Sequence, residues 1–165
     1  MSEKTGVENI NEIIDDFNVA MLVTQSVEGE LHARPMSIAR HDEPDAVLYF
    51  ATSAFTGKTA EIEREPHISV TMQSGNQYVS LSGEASVSDD RTLIKKLYNK
   101  TWDAWFPDGA EQSDIRLVRF EPTQGEYWDL SGMKGIKFLW EAGKAVARDE
   151  KVDYEDAKSH ARVSL

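Results

Sequence analysis

Tyr78-Val79-Ser80-Leu81-Ser82-Gly83-Glu84-Ala85-Ser86-Val87-Ser88 carries the clearest pattern in the chain. Val79, Leu81, Gly83, Ala85 and Val87 fall on one face of an extended strand, and Ser80, Ser82, Glu84, Ser86 and Ser88 fall on the other. Gly83, in the middle, predicts a sharp bend or bulge, a device that closes barrels.

The same period continues outward. Ile68, Val70 and Met72 alternate with Ser69, Thr71 and Gln73, and Ser74-Gly75-Asn76 makes the turn between the two strands. Upstream, residues 19–26 read as a strand apolar on both faces, Glu28-Gly29 as a turn, residues 31–38 as the returning strand and residues 46–51 as another buried strand. Pro35 removes a ladder donor, which places its strand at an edge or a bulge. Downstream, residues 115–121 and 125–129 read as a final hairpin across Pro122.

Helical spacing is sparser. Ile10, Ile13, Ile14 and Phe17 recur at i, i+3, i+4 and i+7. Residues 56–65 read as a short helix capped by Thr56 and ended by Pro66. Asp89 or Asp90 caps a third, with Leu93, Ile94, Leu97 and Tyr98 on its inner stripe. A fourth is expected over residues 137–148. A doubly wound parallel sheet needs a crossover helix between successive strands, and the first five strands offer one short candidate. The pattern therefore predicts a mainly β protein, an antiparallel barrel with peripheral helices. One domain over residues 1–148 and a charged tail over 149–165 are expected.

Composition narrows the class. The 165 residues are 40% hydrophobic and 28% charged, as in a folded globular domain. The absence of cysteine excludes a disulfide framework, a thiolate metal site and cysteine catalysis. The formal charge of -11 repels nucleic acid and anionic membranes, so neither is an expected partner. No basic leader with an apolar run and no span-length apolar stretch is seen, which makes the cytoplasm the expected location.

Thr52-Ser53-Ala54-Phe55-Thr56-Gly57-Lys58-Thr59 follows a buried strand and opens a helix. Hydroxyls, backbone N–H groups and a lysine converge there, as an anion site requires. The plainer alternative is a capped helix with an exposed Lys58. Gly57-Lys58-Thr59 also ends like a nucleoside-triphosphate loop, but Thr52 stands where that loop needs its first glycine. Arg34, in a chain poor in cations, would serve either a phosphate or a neighbouring carboxylate. Trp102, Trp105 and Phe106 either plug a core or cover a planar ligand or a second subunit. The four histidines have no metal-ligand spacing, and no nucleophile or general base stands out. Glu61, Glu63 and Glu65 read as a solvated helix face. An anion pocket without a catalytic side chain points to a bound cofactor that supplies the chemistry.

Five segments in order resemble a known family: Arg34-Pro35-Met36-Ser37, Tyr49-Phe50-Ala51-Thr52-Ser53 running into Thr56-Gly57-Lys58, Pro66-His67-Ile68-Ser69-Val70, Tyr78-Val79-Ser80-Leu81-Ser82-Gly83, and Ala104-Trp105-Phe106-Pro107-Asp108-Gly109. Together they resemble the general stress proteins of the pyridoxamine 5'-phosphate oxidase-like, FMN-binding split barrel superfamily. The resemblance implies a six-stranded antiparallel split barrel, a homodimer and FMN at each of two interface sites. It implies that Ser53, Thr56, Lys58 and Arg34 hold the phosphate beside Thr52, that Pro35, Met36 and Ser37 line the flavin ring, and that Trp105 approaches from the partner. The chain ends His160-Ala161-Arg162-Val163-Ser164-Leu165, without the arginine-bearing segment with which the true oxidases grip substrate.

The expected function is then a flavin-dependent oxidoreductase passing electrons between a reduced nicotinamide and a small acceptor. The alternatives are an FMN-storing or sensing module without turnover, an interaction protein with no cofactor, and, last, oxidation of pyridoxamine phosphate.

Overall fold

The structure, a computed structural model, describes residues 5–132 and 160–165. The chain runs α1 (Gly6–Asp15), β1 (Val19–Gln25), β2 (Leu31–Asp42), β3 (Val47–Ser53), α2 (Gly57–Arg64), β4 (His67–Gln73), β5 (Gln77–Ser88), α3 (Arg91–Leu97), two 3-10 turns (Lys100–Ala104 and Gly109–Glu111), β6 (Ile115–Asp129) and β7 (His160–Ser164). The helix expected over residues 137–148 lies outside the described residues.

All described strand pairs are antiparallel, in the order β3-β2-β1-β4-β5-β6-β7. A further β3–β6 pairing joins Leu48 to Phe120 and Ser53 to Ile115, which closes six strands into a barrel. Leu22, Leu48, Phe50, Val70, Leu81, Phe120 and Tyr127 fill its interior. Each such burial contributes about 1.5–3 kcal/mol. α1 lays Ile10, Ile13 and Ile14 on that core and starts with a capping box between Thr5 and Glu8. A second cluster gathers Ile94, Trp102, Phe106, Ile115 and Leu117 outside the barrel wall.

Gly83 is the bend that the alternation predicted. The β5–β6 register slips between Ser82 and Gly83, leaving Thr123 as an extra residue on β6. A Cβ on Gly83 would sit 2.1 Å from the Glu121 carbonyl oxygen, so only glycine lets the two backbones pass.

Three features differ from the sequence-based expectation. Residues 115–129 form one continuous strand and not a hairpin. Pro122 falls at the bulge opposite Gly83, where the ladder is already interrupted, and so does not break the strand. β1 is central in the sheet, but only Ala20, Leu22 and Thr24 are buried, while Val19 and Met21 on its other face are exposed. Finally, His160–Ser164, within the expected tail, pairs along β6 from Trp128 to Gln124, with the His160 ring stacked on Trp128. Among the described residues, no helix is long and apolar enough to cross a membrane.

Candidate functional site

β2 lies beside β3 only from Ile38 to Asp42, and its register shifts between Ile38 and Arg40. Before that bulge, residues 31–37 of β2 pair with β1 alone. Beyond it, Ala51, Thr52 and Ser53 of β3 pair with β6. The two strands part, and Pro35 falls on the unpaired stretch, as an edge proline should.

A cavity of about 370 Å³ occupies the parting. That is within the range of small-molecule sites. Arg34, Pro35, Met36 and Ser37 line it from β2, Ala51, Thr52 and Ser53 from β3, and Thr56 and Lys58 from the start of α2. Thr101, Trp102, Trp105 and Phe106 close it from the first 3-10 turn and its end. All nine residues expected at a ligand site therefore face one hollow. Ala51, Thr101, Trp102 and Phe106 join them. Trp102 and Phe106 are core residues as well, whereas Trp105 is 68% exposed. Trp105 borders the hollow of its own chain, where the resemblance implied an approach from a second copy.

Lys58 is the distinctive group. Its Nζ donates to the Thr52 hydroxyl over 3.0 Å. Among the described residues, no carboxylate lies within ion-pair distance of it. Burial, chiefly, and the nearby Arg34 guanidinium push its proton affinity below the ordinary lysine range, against a smaller opposing pull from Glu61. Thr56 occupies the N-cap position of α2, but its side chain accepts no helix N–H, contrary to the expected cap. The hydroxyl instead donates to the Ser53 carbonyl, and the Thr59 hydroxyl does the same. The Ser53 hydroxyl donates to Asp114 over 2.6 Å, which helps to hold that carboxyl below its usual range.

Arg34 takes the carboxylate alternative that the sequence left open. It donates to the Thr24 hydroxyl at 2.7 Å and to Glu61 at 3.1 Å. Glu61 is thus no solvated-face residue. Its side chain is 15% exposed, accepts from Thr24 and Arg34, and meets His32 at 2.9 Å. The Thr24 hydroxyl, then the His32 and Arg34 contacts, hold its carboxyl down at about 2 against the cost of burial. Besides Arg34, Thr24, a hydroxyl amid an apolar strand, is a local sign of this cluster. Elsewhere the fold brings Asp15, His41 and Glu43 together, which no linear spacing foretold. The His41 ring is engaged there by Asp15 and Asn11.

Among the described residues, the lining contains no carboxylate and no imidazole. Two cations, three hydroxyls of β3 and α2, an unpaired strand edge and an indole suit an anionic ligand with a flat, partly apolar body.

A closed six-stranded antiparallel barrel parted between two strands places this protein among the split barrels of the pyridoxamine 5'-phosphate oxidase-like kind. Comparison with known proteins gives the family. Its model, described as pyridoxamine 5'-phosphate oxidase like, matches residues 5–153, and the chain belongs to that family. General stress protein 26 of Bacillus subtilis is 26% identical over 127 residues, covering 74% of this chain and 87% of that protein. Protein bli-3 of Neurospora crassa is 26% identical over 132 residues, covering 73% of this chain; the match spans 63% of the length of bli-3. Among solved structures, a Jannaschia sp. CCS1 protein described as a general stress protein 26 superposes with a TM-score of 0.70 at 26% identity, covering 96% of this chain and 97% of that one. A general stress FMN/FAD binding protein of Xanthomonas citri shares the fold at a TM-score of 0.63 and 22% identity, over 74% of this chain and 87% of that one.

Proposed function

We propose that the hollow binds FMN and that the protein is a flavin-dependent oxidoreductase, passing electrons between a reduced nicotinamide and a small acceptor. The observation that carries the reading is Lys58: a half-buried cation with a hydroxyl neighbour and no carboxylate partner among the described residues, in a chain of charge -11. Such a charge is disfavoured unless an anion joins it. The phosphate of FMN would meet Lys58, the free N–H groups of Arg34 and the hydroxyls of Thr52, Ser53 and Thr56. The isoalloxazine would lie along the edge of Pro35, Met36 and Ser37 beside Trp105. When bound, FMN would supply the redox chemistry that the lining side chains cannot. A relative described as FMN/FAD binding supports the same reading.

That no carboxylate or imidazole lies among the described lining residues also suits a second reading, a flavin-storing or sensing module without turnover. One experiment separates the two. The protein as purified, or mixed with FMN, should show a flavin absorption spectrum. Reduced nicotinamide should bleach it if electrons pass. A yellow protein that stays yellow favours the storage module, and a colourless one that ignores FMN overturns both.

We also propose that the protein is a cytoplasmic homodimer. The exposed Val19, Met21 and Leu31 make an apolar face on the β1–β2 ladder, where Met21 pairs with Pro35. That face adjoins the hollow through Pro35, so a second copy would cover residues next to the ligand. Added FMN should then shift sedimentation toward the dimer. A monomer that binds FMN tightly would contradict this arrangement.

A further inference from the structure

Helix α2 spans the parting of the barrel. At its start, Thr59 donates to the Ser53 carbonyl and Lys58 to Thr52, which fasten it to β3. One turn later, Glu61 reaches the opposite lip. It contacts Thr24 of β1 and both His32 and Arg34 of β2. Thr24 and His32 are directly paired across β1–β2, and Arg34 lies two residues on from His32, on the same face. Among the described residues, Glu61–Arg34 is the only Arg–carboxylate ion pair between α2 and the β1–β2 lip, and Arg64 at the end of the helix donates to the Gln25 carbonyl of β1. Glu61 itself is not part of the lining.

We infer that Glu61 is a positioning residue: it braces the helix that carries Lys58 against the strand that carries Arg34 and so sets the spacing of the two cations across the hollow. The inference rests on the phosphate reading of that hollow. Glu61 and Thr24 together take up one edge of the guanidinium. The remaining N–H groups of a fork held in this way need no further ordering when an anion arrives. An opposing effect exists, because the negative charge of Glu61 also competes with an anion for Arg34. The brace prevails if fixed geometry is worth more than the charge removed.

The test compares FMN with riboflavin, which lacks the phosphate, on wild type, Glu61→Ala and Glu61→Gln. Melting curves confirm that each variant is folded, and Glu61→Gln keeps the shape if Glu61→Ala does not fold. The brace predicts that Glu61→Ala weakens FMN about tenfold, that Glu61→Gln weakens it less, and that riboflavin affinity stays within twofold for both. In an Arg34→Ala background, the Glu61 effect should shrink to what its Thr24 and His32 contacts give Lys58. Unchanged or tighter FMN binding would show the carboxylate to be inert or a competitor and would overturn the inference. An equal loss for riboflavin would show a merely structural role and would also overturn it. If Arg34→Ala and Lys58→Ala themselves leave FMN affinity unchanged, the phosphate reading fails, and the inference fails with it.

Discussion

Lys58 and Arg34 face the same hollow, close enough for the Arg34 charge to weaken the hold of Lys58 on its proton, yet only Arg34 is paired with a carboxylate among the described residues. One cation is fixed and partly neutralised, and the other is left for a ligand. A site preorganised in this way gains from the ligand charge without first having to break an ion pair.

Lys58→Ala should therefore weaken FMN by about 1.5–3 kcal/mol, the range for a hydrogen bond to a charged group. Riboflavin should bind both forms alike. Fluorescence titration with each ligand measures the difference, and an unchanged FMN affinity would remove Lys58 from the site.

Alkaline pH offers an independent probe of the same lysine. Burial and Arg34 lower its affinity for a proton, whereas a bound phosphate favours the charged form. Lys58 in the free protein then loses its proton below the ordinary lysine range, and FMN affinity falls as pH rises through that point. Binding in that window takes up protons. Lys58→Arg should abolish the fall, which titrations across the alkaline range would show.

Glu61 makes the opposite prediction at acid pH. Its folded-state carboxyl is lowered from 4.5 to about 2. A depressed acid contributes stability that is complete above its unfolded value and is lost as pH falls toward the folded one. Denaturation of wild type and Glu61→Gln should show a constant gap above about pH 5 that closes between 4.5 and 2. A gap that does not change with pH would contradict the charged contacts.

The aromatic loop divides its roles. Trp102→Ala removes a 5% exposed ring packed on Phe106 and edge-on to Tyr98, and should cost about 3–5 kcal/mol of stability. Trp105→Ala should stay within about 0.5 kcal/mol of wild type in stability but reduce quenching of bound flavin. Chemical denaturation and flavin fluorescence separate the two.

Much of the site is local in sequence, which is why it could be read there. Arg34 to Ser37 is one strand edge marked by Pro35, and Thr52 to Lys58 is one strand-to-helix junction. The barrel was legible from the alternation of β4 and β5 and from Gly83. What escaped depends on distant parts of the chain. Glu61 looks like one of three helix carboxylates until the fold sets it against Thr24, His32 and Arg34. Pro122 reads as a turn until Gly83 is placed opposite it. Val19 and Met21 look buried in a run of apolar residues, because sequence does not tell which face of β1 another element covers.

If the hollow seats a phosphate-bearing flavin, the phosphate itself must add affinity. Parallel calorimetric titration of the wild-type protein with FMN and with riboflavin tests it most directly. One FMN should bind per chain, at least about tenfold more tightly than riboflavin, with the advantage lost when Lys58 and Arg34 are both replaced by alanine. Equal affinities, or an advantage that survives the double replacement, would contradict it.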